Sequence, residues 1–180
     1  MKQIDTLSEK LYTLAQERNA NLYAIADAGI YKELIDVFDI ASPEHHILFK
    51  ESWVREYENV APYIVALNKE DETSQKLIAE GFGKTWLTFL ISSHNISTLA
   101  FDLAERINVY SEKHDKEIIF RFYDPRNLER YFKMQTEAEV SELLGDLQGT
   151  FAYVDVEDPN KLNIFSTEQK ECISLEGEVA

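Results

Sequence analysis

The stretch FRFYDPR, residues Phe120–Arg126, is the part of this 180-residue chain that says most about its fold. Two arginines and one aspartate stand in an otherwise aromatic and apolar run, where a lone buried charge would be strongly unfavourable. We therefore expect Arg121, Asp124 and Arg126 to belong to a paired, half-buried charge network, with Asp27 as a candidate fourth member.

The residues on either side predict a corner between a strand and a helix. Glu117–Tyr123 is rich in β-branched and aromatic residues, which favour strands. In that strand Arg121 would face away from both phenylalanines. Asp124 is a good N-cap and Pro125 suits the first helical position. An Arg–Asp pair would hold the corner, so replacing Arg121 with Ala should cost on the order of 3 kcal/mol.

Strands alternate with helices along the rest of the chain, which predicts an α/β fold with a mixed sheet and helices packed on it. Apolar spacing of 3.6 residues predicts helices at Ile4–Leu14, Ile30–Phe38, Glu51–Tyr57, Asp71–Glu80, Ser93–Val109 and Val140–Leu147. Short apolar runs predict strands at Leu22–Ala26, His46–Phe49, Tyr63–Leu67, Trp86–Ile91, Tyr110–Glu112, Phe151–Val156 and Leu162–Phe165.

The C-terminal part leaves two domain arrangements open. Residues 1–145 would form the α/β body, and residues 146–180 a small unit of a hairpin and an acidic tail. Alternatively the hairpin is part of the same domain. The tail from Thr167 has little apolar content, so we expect it to add little to the core.

Composition excludes several classes of partner. A net charge of −15 argues against nucleic acid and against anionic membrane surfaces. Cys172 is the single cysteine, which rules out an intramolecular disulfide and suits a reducing compartment. The N-terminal residues lack a signal-peptide pattern, and no apolar run reaches the roughly 20 residues of a membrane span. We expect a cytoplasmic protein.

The chain offers no strong motif for catalysis, a cofactor or a metal. His45 and His46 are adjacent, so on a strand their rings point to opposite faces. Ser93 and His94 are neighbours in sequence, which rarely builds a catalytic site, and Ser93 or Asn95 is better explained as a helix cap. The glycine-containing loop at residues 81–85 precedes a strand instead of a helix, unlike a phosphate loop. We therefore predict that the protein is not an enzyme.

Aromatic residues are abundant, and most are expected to fill the core. Those left exposed would mark a protein-binding surface, because aromatic side chains are enriched at interface centres. Trp53 lies in a short, otherwise charged segment and is the best candidate for an exposed anchor. Tyr57, Trp86 and Tyr131 are further candidates.

Four segments together resemble a bacterial family that is classed as a domain of unknown function. They are Leu22–Gly29, Val60–Leu67, Gly83–Ser93 and Phe120–Arg126, in the order of the family. Its characterised members are adaptors of type VI secretion, also called effector chaperones. The resemblance implies a cytosolic protein that binds one specific effector and helps to load it onto the spike protein, VgrG. The helix Leu99–Arg106 departs from the family pattern, since it keeps one arginine of a basic segment and adds acids.

Two other functions stay open. An α/β enzyme acting on a small substrate would use Asp27, His94 and Asp124 near the strand ends. An immunity protein would use its acidity to neutralise a basic toxin. A deep pocket holding those three side chains would favour the enzyme, and a shallow apolar groove would favour the adaptor.

Overall fold

The computed structural model describes residues 2–167 and 170–176 of the chain. Its helices are α1 (Lys2–Glu17), α2 (Leu34–Ala41), α3 (Glu51–Tyr57), α4 (Glu72–Gly81), α5 (Ile96–Ile107), α6 (Pro125–Met134) and α7 (Glu137–Asp146). Its strands are β1 (Asn21–Asp27), β2 (His45–Ile47), β3 (Pro62–Leu67), β4 (Leu87–Ser92), β5 (Asn108–Ser111), β6 (Lys116–Ile119), β7 (Gly149–Val154), β8 (Lys161–Phe165) and β9 (Lys170–Ser174).

Seven strands form one sheet in the order β2-β3-β1-β4-β7-β8-β9, and β5 and β6 form a separate hairpin. The predicted α/β fold with helices packed on a sheet is confirmed. The sheet is antiparallel at each pair of neighbouring strands, and in this respect the prediction of a mixed sheet was wrong. The central strand β1 lies between β3 and β4, which both run opposite to it.

The sheet is covered on both faces, which explains why its inner strands are apolar at nearly every position. Along β1, Leu22, Ala24 and Ala26 face a core shared with α1, α2 and α4. Tyr23 and Ile25 face a second core shared with α5, α6 and α7. The alternation follows from the two-residue period of a strand. The fold therefore has three layers, with the sheet in the middle.

Residues 120–124 form a turn, so the predicted strand Glu117–Tyr123 was wrong in its second half. Pairing ends at Ile119, and the Phe120 amide then donates to the carbonyl of Ile107 at 2.7 Å. The hydroxyl of Thr88 on β4 donates to the carbonyl of Tyr123 at 2.6 Å, which fixes the turn against the first residues of β4. Phe122 and Tyr123 are buried in the core, and a turn can bury aromatic side chains as well as a strand can.

Helix α2 begins at Leu34, four residues later than predicted. The amides of Ile30 and Tyr31 both donate to the carbonyl of Asp27, at 3.1 and 2.9 Å, and so close a turn directly after β1. Helix α5 lies within the predicted segment Ser93–Val109. Of the two expected caps, Asn95 is the one that caps it, since its side chain accepts from the Thr98 amide at 2.9 Å.

Strands β7, β8 and β9 extend the main sheet. Strand β7 pairs with β4, and β8 and β9 follow in order. The expectation that the tail from Thr167 adds little to the core was wrong, because the tail contains β9 and Leu175. The Leu175 side chain is fully buried, and its amide donates to the carbonyl of Asn160 at 2.6 Å.

A chain that ends after Leu147 should lose cooperative unfolding, because β4 would present an unpaired edge and both cores would lose side chains such as Phe151 and Leu162. Thermal melting followed by circular dichroism, beside the full chain, measures this. A sharp transition near that of the full chain would show that residues 1–147 fold as an independent unit.

Candidate functional site

The last residue of the central strand is a buried carboxylate. Asp27 is 1% exposed, and its amide donates to the carbonyl of Trp86 at 2.9 Å. The hydroxyl of Tyr123 donates to Asp27 Oδ2 at 2.9 Å. Arg121 Nη1 lies 3.5 Å from the same oxygen, and the Arg121 side chain is 40% exposed. The charge of Asp27 is therefore balanced from the turn at residues 120–124.

Tyr123 is the donor that reaches Asp27 inside the core. Burial raises the pKa of the Tyr123 hydroxyl, and the negative charge of Asp27 raises it further. A raised tyrosine pKa keeps the hydroxyl protonated, so Tyr123 remains a donor throughout the physiological pH range. The residue was expected from sequence only as one of many core aromatics, and nothing in its local pattern indicates a partner 96 positions away.

A glycine makes room for the Asp27–Arg121 pair. A Cβ atom at Gly29 would lie 2.8 Å from Asp27 Oδ1 and 3.1 Å from both Arg121 Nη2 and the carbonyl oxygen of Val60. The first of these distances is too short for a carbon atom, so a side chain here would displace the carboxylate. Asp27 Oδ1 has no hydrogen-bond partner among the described residues. Three separate segments of the chain thus meet at Gly29.

Asp124 and Arg126 form a second pair at the same end of the sheet. Asp124 Oδ1 accepts from the Arg126 amide at 2.9 Å and from Arg126 Nε at 3.0 Å. Arg126 Nη2 lies 2.5 Å from Oδ2. The carboxylate is buried and caps α6, whereas the arginine is mostly exposed. The four charged residues singled out from sequence therefore form two pairs, each with one buried acid.

Because the Arg121 side chain is 40% exposed, its contribution to the free energy of unfolding is smaller than that of a buried arginine. Water screens the guanidinium on its open side, and 3.5 Å is longer than a charge-assisted hydrogen bond. We expect the Arg121→Ala cost to fall below the value of about 3 kcal/mol that a fully buried pair would give.

The aromatic candidates lie in different environments. Trp86 is 6% exposed and stacks on Tyr31 with ring centroids 4.3 Å apart, so its proposed role as a binding residue is corrected to one in the core. Trp53 is half-buried, edge to face with Phe49 at 5.9 Å. Tyr131 is half-buried among other rings, and Tyr57 is exposed.

The residues of the enzyme alternative do not converge. Asp27 lies opposite Pro62, at the end of the sheet where β4 begins, and Asp124 follows Tyr123 at that end. His94 comes two residues after Ser92, which pairs with Asn21 at the other end of β1. Six residues of strand separate the two ends by roughly 20 Å. A pocket of about 880 Å³ lies at the His94 end, where residues including Tyr12, Asn21 and Asn95 line it.

Two further observations concern residues 2–167 and 170–176. No group of three or more His, Cys, Asp or Glu side chains in these ranges is arranged to hold a metal ion. No helix within them has the length and apolar character needed to cross a bilayer.

A comparison with protein families matches residues 22–142 to the family described as Domain of unknown function (DUF4123). The match covers about two thirds of the chain and contains the turn, both charge pairs and Gly29. The chain belongs to this family. Comparisons with curated proteins and with solved structures found no match. Within the DUF4123 region lie β1 to β6, whereas β7, β8 and β9 follow it.

Replacing Tyr123 with Phe should lower the free energy of unfolding by about 2 kcal/mol, because the buried Asp27 carboxylate loses its hydrogen-bond donor. Tyr131→Phe is the matched control, since its hydroxyl makes no hydrogen bond within the described residues and it should change stability little. Urea denaturation of both variants measures the difference. Equal stability of the two would contradict the role given to the Tyr123 hydroxyl.

Replacing Asp124 with Ala should cost about 1–2 kcal/mol, because α6 loses its N-cap. Asp124→Asn keeps a capping oxygen while removing the charge that faces Arg126, so it should retain most of the stability. Denaturant midpoints of the two variants separate the cap from the ion pair. If Asn were as damaging as Ala, the ion pair with Arg126 would be the main contribution.

Proposed function

We propose that this chain is a cytosolic adaptor of type VI secretion, which binds one effector and helps to load it onto the spike protein VgrG. The four segments that resemble known adaptors all lie within the DUF4123 match. They supply β1, β3, β4 and the turn that carries Arg121, so the resemblance covers the part of the fold that surrounds Asp27.

The observation that carries the proposal is an exposed apolar surface at the Asp27 end of the sheet. Ile30, Val60 and Phe120 keep 38%, 37% and 41% of their surface exposed. Phe120 precedes Arg121 in sequence, and Gly29, which precedes Ile30, lies close to both Arg121 Nη2 and the Val60 carbonyl oxygen. Exposed apolar residues near an arginine support a protein-binding surface, because aromatic residues and arginine are enriched at interface centres. An effector bound to the adaptor before export would cover this apolar surface, and the adaptor would cover an apolar surface of the effector.

Charge supports a protein partner. The net charge of −15 repels anionic polymers and can steer an effector of opposite charge during its approach. Such steering depends on the net charge of the whole molecule and raises the rate of association. It does not determine which residues form the interface.

Affinity purification of the tagged chain from its native bacterium, grown under conditions of active secretion, tests the proposal. Mass spectrometry should identify a large toxin-like protein, with or without VgrG. Deleting the gene should reduce secretion of that protein, and restoring the gene should recover it.

Two results would overturn the proposal. Recovery of this chain alone would remove the adaptor function and direct attention to an enzyme of the α/β class. Recovery of a toxin whose activity the purified chain blocks, with unchanged secretion in the deletion strain, would identify an immunity protein instead.

A further inference from the structure

Arg121 has hydrogen-bonding capacity that the fold does not use. Its guanidinium makes no hydrogen bond within the described residues, and its one ionic contact is at 3.5 Å, to Asp27 Oδ2. That oxygen already accepts a hydrogen bond from the Tyr123 hydroxyl. A guanidinium carries five N–H donors in a planar fork that matches a carboxylate. The Arg121 guanidinium thus contacts Asp27, and its remaining N–H donors are available to a binding partner.

Apolar residues adjoin Arg121 along the chain and across its close approach to Gly29. Phe120 precedes it in sequence, and the Phe120 ring rests edge to face on Tyr131 with centroids 5.5 Å apart. Gly29 brings the backbone at Ile30 and at Val60 close to Arg121. The Cβ position of Gly29 is 3.1 Å from both Arg121 Nη2 and the Val60 carbonyl oxygen. We call Gly29, Ile30, Val60, Phe120 and Arg121 the Arg121 surface.

We propose that the Arg121 surface binds a peptide segment of a partner protein in which one carboxylate is flanked by apolar side chains. The carboxylate pairs with the open edge of the Arg121 guanidinium. The flanking side chains cover Ile30, Val60 and Phe120, which excludes water and strengthens the charged hydrogen bonds. The inference deepens the adaptor proposal, and it rests on that proposal only for the identity of the partner.

The charges around Arg121 indicate which kind of peptide segment the surface would bind: a basic one, a strongly acidic one, or one with a single carboxylate. A basic segment is disfavoured because Asp27 is 1% exposed, so a partner's cation would reach the carboxylate only by displacing Arg121. A long acidic tract is disfavoured by the net charge of −15. A single carboxylate among apolar residues satisfies Arg121 without strong repulsion from the rest of the chain.

A library of random peptides displayed on phage, selected against the full chain, tests the proposal without knowledge of the partner. We expect enriched peptides to share one Asp or Glu between apolar or aromatic residues. Their affinity should fall about thirtyfold or more for Arg121→Gln, as for an arginine at the centre of an interface. Enrichment of peptides without a carboxylate, equal binding by Arg121→Gln, or no enrichment would each overturn it.

Two further variants keep the test valid if Arg121→Gln is poorly folded. Val60→Ser removes an apolar side chain from the Arg121 surface and should weaken the same peptides. Ile40→Ser is the matched control, because Ile40 is 87% exposed and the next two residues, Ala41 and Ser42, line the pocket at the other end of the sheet. Equal effects of the two substitutions would contradict a site at Arg121.

The selection and the affinity purification fail independently. If the native partner is a secreted effector whose recovery does not change in Arg121→Gln, the adaptor function stands and the Arg121 surface is not its binding site. If carboxylate peptides bind through Arg121 while no secretion component is recovered, the binding site stands and the adaptor function does not.

Discussion

The carboxylate of Asp27 is the constraint around which this end of the molecule is arranged. It lies at the end of the central strand, out of contact with water, where an unpaired charge would be strongly unfavourable. A donor and a cation must therefore be brought to it from elsewhere, and Tyr123 and Arg121 supply them. Because both come from the turn that precedes α6, satisfying one side chain also sets where a helix begins on the second face of the sheet.

Local patterns allow much of the fold to be predicted. Strands β1, β3 and β4 are short apolar runs between polar segments, and α5 has a continuous apolar stripe, so each is recognisable without its neighbours. The turn at residues 120–124 is not, because aromatic residues are suited to a strand and to a buried turn alike. What separates the two is the hydrogen bond from Thr88 to the Tyr123 carbonyl, a contact between segments far apart in sequence. Strand order depends on the same kind of long-range pairing.

The candidate site shows the same limit. Asp124 and Arg126 are two positions apart and opposite in charge, so their pairing can be inferred from the motif. Pairing of Asp27 with Arg121 depends on the way that the antiparallel sheet is assembled, and the sequence suggests it only as a possibility. Exposure is harder still. Trp86 and Phe120 are both aromatic residues in apolar runs, yet one stacks on Tyr31 inside the core and the other lies at the surface.

The order of the strands also has a consequence for synthesis. Strands β2, β3, β1 and β4 are translated within the first 92 residues, whereas β7, which covers the edge of β4, ends at Val154. While the ribosome adds the residues between them, β4 has no neighbour on that side. An open edge of this kind can pair with a strand of another nascent chain. During this period, pairing of β4 with β7 of its own chain competes with pairing of β4 with a strand of another chain.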